Sequence, residues 1–130
     1  MGLRLLLDTH ALLWWFTDDP ALSARAREAI SEAENEVLVS AASAWEIATK
    51  HRLGKLPEAA GAVSRFDALV TADRFTPLAI SSRHGLRAGS YDTGHRDPFD
   101  RMLAAQAELE ALLLVTADPA FAAFPVRTLW

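Results

Sequence analysis

Hydrophobic positions along the chain fall into two alternating kinds of run. Short unbroken apolar runs stand at Leu5-Leu6-Leu7, Val37-Leu38-Val39 and over 112–115. Runs without polar alternation suit strands covered on both faces, and such strands belong to parallel sheets between helices. Longer stretches with helical spacing lie between them. Residues 11–16 begin the first, and 22–34 put Leu22, Ala26, Ala29, Ile30 and Ala33 on one face. A helix over 41–53 is stopped by Gly54, and one over 60–73 carries Val63, Phe66, Leu69 and Val70. Residues 75–80 read as a strand that Pro77 confines to an edge. A short helix over 81–88, a polar loop over 89–96 and a helix over 98–110 follow. In the last helix Phe99, Met102, Leu103 and Leu109 form the apolar stripe, with Arg101 and Glu108 pointing away. A helical turn over 120–124 and a strand over 126–129 complete the pattern. Strands alternating with helices predict one domain, 1–130, built as a three-layer α/β/α sandwich.

Composition narrows the chemistry. No cysteine is present, which excludes disulfides, zinc–thiolate sites and cysteine nucleophiles. Seventeen acidic and thirteen basic residues give a formal charge of −4. That is not the balance of a protein that coats nucleic acid nonspecifically, yet it suits a nuclease whose own site must hold a cation. The first seven residues are too short for a signal peptide, and no stretch approaches the roughly 18 apolar residues of a membrane span. The expectation is a soluble cytoplasmic protein without membrane contact.

Four carboxylates stand out. Asp8 ends the first apolar run, where ligands of open α/β sheets bind; it could equally cap the helix that follows. Glu46 lies inside the 41–53 helix and is also four residues before Lys50, an ordinary ion-pair spacing. Asp100 sits about 100° round from Phe99, beside Ala104 and Ala107, where another element can approach closely. A carboxylate there is costly unless a cation attends it. Asp118 follows the strand over 112–115 as Asp8 follows the first, though Pro119 after it also suits a cap. Asp97-Pro98 reads first as a cap followed by proline, as Asp19-Pro20 does. If Asp8, Glu46, Asp100 and Asp118 converge, each pair 4 Å apart repels by roughly 4 kcal/mol at an effective dielectric of 20. Protonation or a divalent cation must relieve that. All-oxygen ligation suits Mg²⁺ or Mn²⁺, and phosphodiester hydrolysis is the natural reaction of such a site. The four histidines show no ligand spacing and are expected at the surface or behind the site.

Four blocks together resemble the motifs of PIN-domain proteins of the VapC toxin type. They are Leu5-Leu6-Leu7-Asp8-Thr9-His10-Ala11-Leu12-Leu13-Trp14, Ser43-Ala44-Trp45-Glu46-Ile47-Ala48-Thr49-Lys50, Asp97-Pro98-Phe99-Asp100-Arg101-Met102-Leu103-Ala104-Ala105-Gln106-Ala107 and Val115-Thr116-Ala117-Asp118. The resemblance runs in order over essentially the whole chain. It implies a mostly parallel, about five-stranded sheet, and a metal-dependent endoribonuclease that cuts single-stranded RNA as the toxin of a type II toxin–antitoxin pair. By that pattern Asp8, Glu46 and Asp100 match the core acidic ligands of Mg²⁺ or Mn²⁺, and Asp118 matches the fourth acidic position. Asp97, Thr116 and Thr9 are auxiliary. A cognate antitoxin and a homodimer are implied partners. Trp14, Trp15 and Phe16, which cannot all face one core, are the expected contact for a second chain. Basic groups scattered over Lys50, Arg52, Lys55, Arg83, Arg87, Arg96 and Arg101 are the candidate RNA surface.

Other readings remain. A haloacid-dehalogenase-type phosphatase needs an aspartate two residues after Asp8, where His10 stands. A receiver domain needs one ending its third strand, and residues 76–80 contain no acid. A catalytically silent PIN-like module, holding a partner's arginine in the acidic pocket, is separated from the enzyme by metal-dependent RNA cleavage.

Overall fold

The computed structural model describes residues 2–130. Its central layer is a five-stranded sheet ordered β3-β2-β1-β4-β5, parallel throughout. The strands are β1 (Arg4–Leu7), β2 (Glu36–Ser40), β3 (Thr76–Leu78), β4 (Leu113–Val115) and β5 (Thr128–Leu129). Leu5 pairs with Val37 on one side and Leu113 on the other, so β1 is the middle of the sheet. Leu5, Leu6 and Leu7 are wholly buried. Leu5 and Leu7 join Val37, Val39 and Val115 in one core, while Leu6 joins Leu38 and Leu114 in another. Successive side chains point to opposite faces, and helices cover both. That is why these runs do not alternate.

The helices are α1 (Thr9–Phe16), α2 (Ala24–Ser31), α3 (Ala41–Arg52), α4 (Ala60–Ala72), α5 (Ser82–Ser90) and α6 (Pro98–Leu109). Residues of α1 to α4 (Leu12, Ala26, Ile47, Val70) build the first core, and those of α5 and α6 (Ala88, Leu103, Ala107) build the second. The chain winds from β1 outward through β2 to β3, then returns to β4 on the far side of β1. The sense of winding therefore reverses between β1 and β4. Beyond their carboxyl ends the connections diverge and leave a crevice.

Several details depart from the sequence pattern. Asp19-Pro20 does not open α2. The Asp19 carboxylate accepts only from Ala21 N in a turn, and Ser23 caps the helix by accepting from Ala26 N. Backbone bonds from Asp18 and Asp19 back to α1, with Asp18 at φ 51°, use those residues to close the preceding helix. At its other end α2 stops at Ser31, leaving Ala33 exposed.

In α6 the buried face is Leu103 to Ala107, with Phe99 and Met102 only half-covered. Arg101, expected to point into solvent, instead turns inward. Its Nε donates to Ala88 O at 2.8 Å, Nη1 to His95 O at 2.8 Å and Nη2 to Tyr91 O at 2.6 Å. Carbonyls from the last turn of α5, its C-cap and the loop beyond it find one planar donor. Glu108 accepts from Arg87 and from Tyr91 Oη. His84 is likewise buried: Nδ1 accepts from Ser81 N and Nε2 donates to Glu110. Ser81 and His84 form a capping box at the start of α5, with histidine where glutamate usually stands. The three adjacent aromatics of α1 are all half-buried. Trp14 packs on Trp130, Trp15 on Phe75 and Phe16 on Phe66.

Candidate active site

Each carboxylate reaches the crevice by a different local device. Asp8 is the residue at which β1 ends: its N–H still bonds Val115 O at 3.0 Å, and its Oδ1 accepts from Ala11 N at 2.7 Å, capping α1. Both readings of Asp8 therefore hold at once. The hydroxyl of Thr116, just past β4, lies against the Asp8 carboxylate and also accepts from Asp118 N at 3.0 Å. Asp118 caps the short 3-10 turn Pro119–Ala123 and is exposed.

Glu46 comes in from α3, whose cap is Ser40 and not Ser43, so Glu46 lies mid-helix. It is only 3% exposed. Thr9 Oγ1 donates to its Oε1 at 2.5 Å, and the Lys50 ammonium donates to its Oε2. Thr9 Oγ1 also stands 3.1 Å from the buried Ser43 Oγ, joining α1 to α3 behind the carboxylate. On α6 the Asp97 Oδ1 accepts from Phe99 N and Asp100 N. Its cap role is real, and it still faces the crevice. Asp100 accepts from His95 Nε2 at 2.9 Å.

Asp8, Thr9, Glu46, Asp97, Asp100 and Asp118 line one cavity of about 230 Å³, together with His10 and Lys50. Every acidic residue singled out from sequence thus borders the same space. Thr116 lies just behind it. Burial, with help from Glu46, raises the Asp8 carboxyl above its ordinary value, against the Thr116 and Ala11 hydrogen bonds. Asp100 is pushed up to about 6, first by burial and then by the charges of Asp97 and Glu46, with His95 opposing. Lys50 loses some basicity to burial, but Glu46, Asp97 and Asp100 more than restore it. The cavity is one in which negative charge is crowded and incompletely compensated.

The donor set is all oxygen, the chemistry that Mg²⁺ and Mn²⁺ require. As the side chains stand, though, no three acidic or histidine groups among the described residues form a grouping that could hold a metal ion. Three of the carboxylates are each tied at one oxygen. Lys50 holds one Glu46 oxygen, His95 one Asp100 oxygen and Ala11 N one Asp8 oxygen. The carboxylates fit an ion in chemistry and border one cavity, but as they stand they do not close on a common point, and local partners hold three of them.

Sequence reasoning saw Lys50 as a helix ion-pair partner and an RNA contact; it did not place the ammonium inside the acidic cavity. His10 and His95 were expected only at the surface or behind the site, and the structure puts His10 at the cavity's edge and His95 behind Asp100. Spacing could have suggested Lys50, since one turn after Glu46 puts it on the same helix face. No local signal brings His95 to Asp100, because the loop between them is shaped by Arg101.

An all-parallel α/β/α sandwich that gathers carboxylates at its switch point defines a narrow class. The PIN domain family matches residues 5–126, and the chain belongs to it. Ribonuclease VapC16 of Mycobacterium tuberculosis is 38% identical over 58 residues, which span 45% of this chain and 41% of that protein. The match thus covers less than half the length of that relative. Among solved structures, VapBC-1 from nontypeable Haemophilus influenzae superposes with a TM-score of 0.69 at 16% identity, covering 98% of this chain and 97% of that one. VapBC2 from Rickettsia felis, bound to a promoter DNA fragment, gives 0.67 at 16%, covering 98% and 99%. At such identity these two speak for the fold.

Proposed function

We propose that this PIN domain is a metal-dependent endoribonuclease that cuts single-stranded RNA and serves as the toxin of a toxin–antitoxin pair. The observation that carries the proposal is the cavity itself, where carboxylates from four separate segments meet at the switch point. The curated relative named as a ribonuclease supports the chemistry, and the VapBC complexes among the fold neighbours support an antitoxin partner. Asp8, Glu46 and Asp100 are the proposed ligands of Mg²⁺ or Mn²⁺, with Asp118 as the fourth acidic group. A bound ion would lower the pKa of water and neutralise charge developing on the phosphate. The chain's own groups prepare that chemistry. Thr9 fixes the Glu46 carboxylate, Thr116 orients Asp8, and the Asp97 cap holds the first turn of α6 so that Asp100 faces inward.

Purified protein is expected to cleave single-stranded RNA with Mg²⁺ or Mn²⁺ and to stop when a chelator is added. Cleavage that continues unchanged in excess chelator would reject the metal reading. Asp97→Asn is expected to cost less than tenfold in activity, because asparagine caps a helix about as well as aspartate. A loss comparable to that of a ligand variant, seen in initial rates, would promote Asp97 to the ion's coordination.

A homodimer is also proposed, on a different surface from the one the sequence suggested. Trp14, Trp15 and Phe16 are engaged within the chain. The exposed aromatic is Trp45 (59%), and Ile80 beside the same groove is exposed too. Among the described residues no helix is long and apolar enough to cross a membrane, and a cytoplasmic location belongs with this proposal.

A further inference from the structure

Lys50 is a cation lining a cavity that five carboxylates border. Its ammonium is bound to Glu46 Oε2, whose carboxylate is nearly inaccessible while the lysine side chain is 28% exposed. An ordinary surface pair at this spacing contributes only a few tenths of a kcal/mol, and the last turn of any helix welcomes cations. Neither explains why the ammonium is turned into the acidic crevice, where Asp97 and Asp100 also act on it. Glu46 has both oxygens taken, one by Thr9 and one by Lys50. Each Glu46 oxygen keeps a further lone pair, but a divalent ion ligated there stands beside the Lys50 ammonium and repels it, whereas the neutral Thr9 hydroxyl is not repelled. Thr9 is 3% exposed and braced by Ser43, whereas Lys50 ends a flexible four-carbon stem that opens to solvent. Lys50 is the group that can leave.

We propose that Lys50 is a built-in counter-ion that the divalent cation displaces from Glu46, and that the released ammonium then pairs with a phosphate of the bound strand. The inference rests on the metal-dependent nuclease reading above and adds to it a residue with two successive partners. Without the ion, Lys50 keeps a buried carboxylate from standing unpaired. With the ion in place the same charge is freed at the rim, where His51 and Arg52 continue the basic end of α3. An ammonium there suits a phosphate as a mobile point charge. One side chain thereby couples loading of the ion to capture of the substrate.

Lys50 and Lys55 are the chain's two lysines, and Lys55 is exposed. Reductive methylation of the wild-type protein, followed by peptide mass spectrometry, therefore carries its own reference. Lys50 is expected to react several-fold more slowly than Lys55 without ion, and to gain roughly fivefold or more on saturation with Mn²⁺ as its ion pair with Glu46 is broken. Lys55 should not change. Unchanged Lys50 reactivity, with calorimetry showing Mn²⁺ bound, would overturn the displacement. Calorimetry showing no Mn²⁺ binding to wild type would instead remove the underlying nuclease reading. In Lys50→Met, shown to be folded by its melting transition, Mn²⁺ should bind about tenfold tighter and kcat/KM for single-stranded RNA at saturating Mn²⁺ should fall about tenfold. Lys50→Arg should recover part of the latter. Equal Mn²⁺ affinity in the folded methionine variant overturns the counter-ion role, and undiminished kcat/KM overturns the phosphate contact.

Discussion

Asp100→Asn is expected to raise the melting temperature of the ion-free protein while abolishing its RNA cleavage. The two effects share one cause. Burial and the neighbouring charges of Asp97 and Glu46 hold the Asp100 carboxyl at about 6. Raising it there from 3.8 corresponds to up to about 3 kcal/mol of unfavourable interaction in the charged form. Asparagine removes that charge, keeps an oxygen to accept from His95 Nε2, and fills the same volume. It cannot replace an anionic ligand, so activity should fall by about a hundredfold or more. A gain in stability with a loss of activity is the signature of a group kept for chemistry at the fold's expense. A lower melting temperature for the variant would show that Asp100 serves the fold instead.

The pH dependence follows with its sign. A carboxyl raised in the folded state binds its proton more tightly there than when unfolded. Its unfavourable contribution is therefore full above about 6 and is relieved as pH falls from there toward 3.8. Asp8 acts in the same direction. Ion-free wild type should gain thermal stability between pH 7 and pH 5 relative to Asp100→Asn, and its Mn²⁺ affinity should weaken over the same range, because the ion must displace the Asp100 proton. Mn²⁺ affinity that stays level from pH 7 to pH 5 would count against Asp100 as a ligand.

Arg101→Met should damage both fold and function, for the opposite reason. The guanidinium is the common donor to Ala88 O, Tyr91 O and His95 O. Methionine keeps the stem but leaves three carbonyls to find water in a half-buried place. Each unsatisfied group costs about 1–3 kcal/mol and partial hydration returns some of it, so a loss of roughly 2–4 kcal/mol is expected. The loop it ties also carries His95, which sets the orientation of Asp100. Chemical denaturation and initial rates should therefore fall together. Weakened RNA binding with unaltered stability would restore Arg101 to the solvent-facing role its helix position suggests.

Sequence alone was enough for the sheet, because burial on both faces writes itself into residue type. Leu5-Leu6-Leu7 and Val37-Leu38-Val39 could be strands of a covered parallel sheet and little else. It was enough, too, to single out carboxylates that border one cavity, since Asp8 and Asp118 follow apolar strands and Asp100 sits where no charge belongs without a partner. Helix ends were legible where a single residue decides them, as at Gly54 with its φ of 76° or at Asp97. Where two turns compete for the same residues, pattern failed: Asp19-Pro20 resembles Asp97-Pro98, yet closing α1 claimed the backbone that would have opened α2. Partners distant in sequence were decided only by the tertiary structure. Arg101 stands opposite the apolar stripe and looks solvated until the 88–95 segment folds over it. Lys50 looks like half of a surface pair until Glu46 is seen to be buried and bordered by the carboxylates of α6. A side chain's helical position fixes its direction, but what it meets depends on segments that come together only when the sheet's switch point forms.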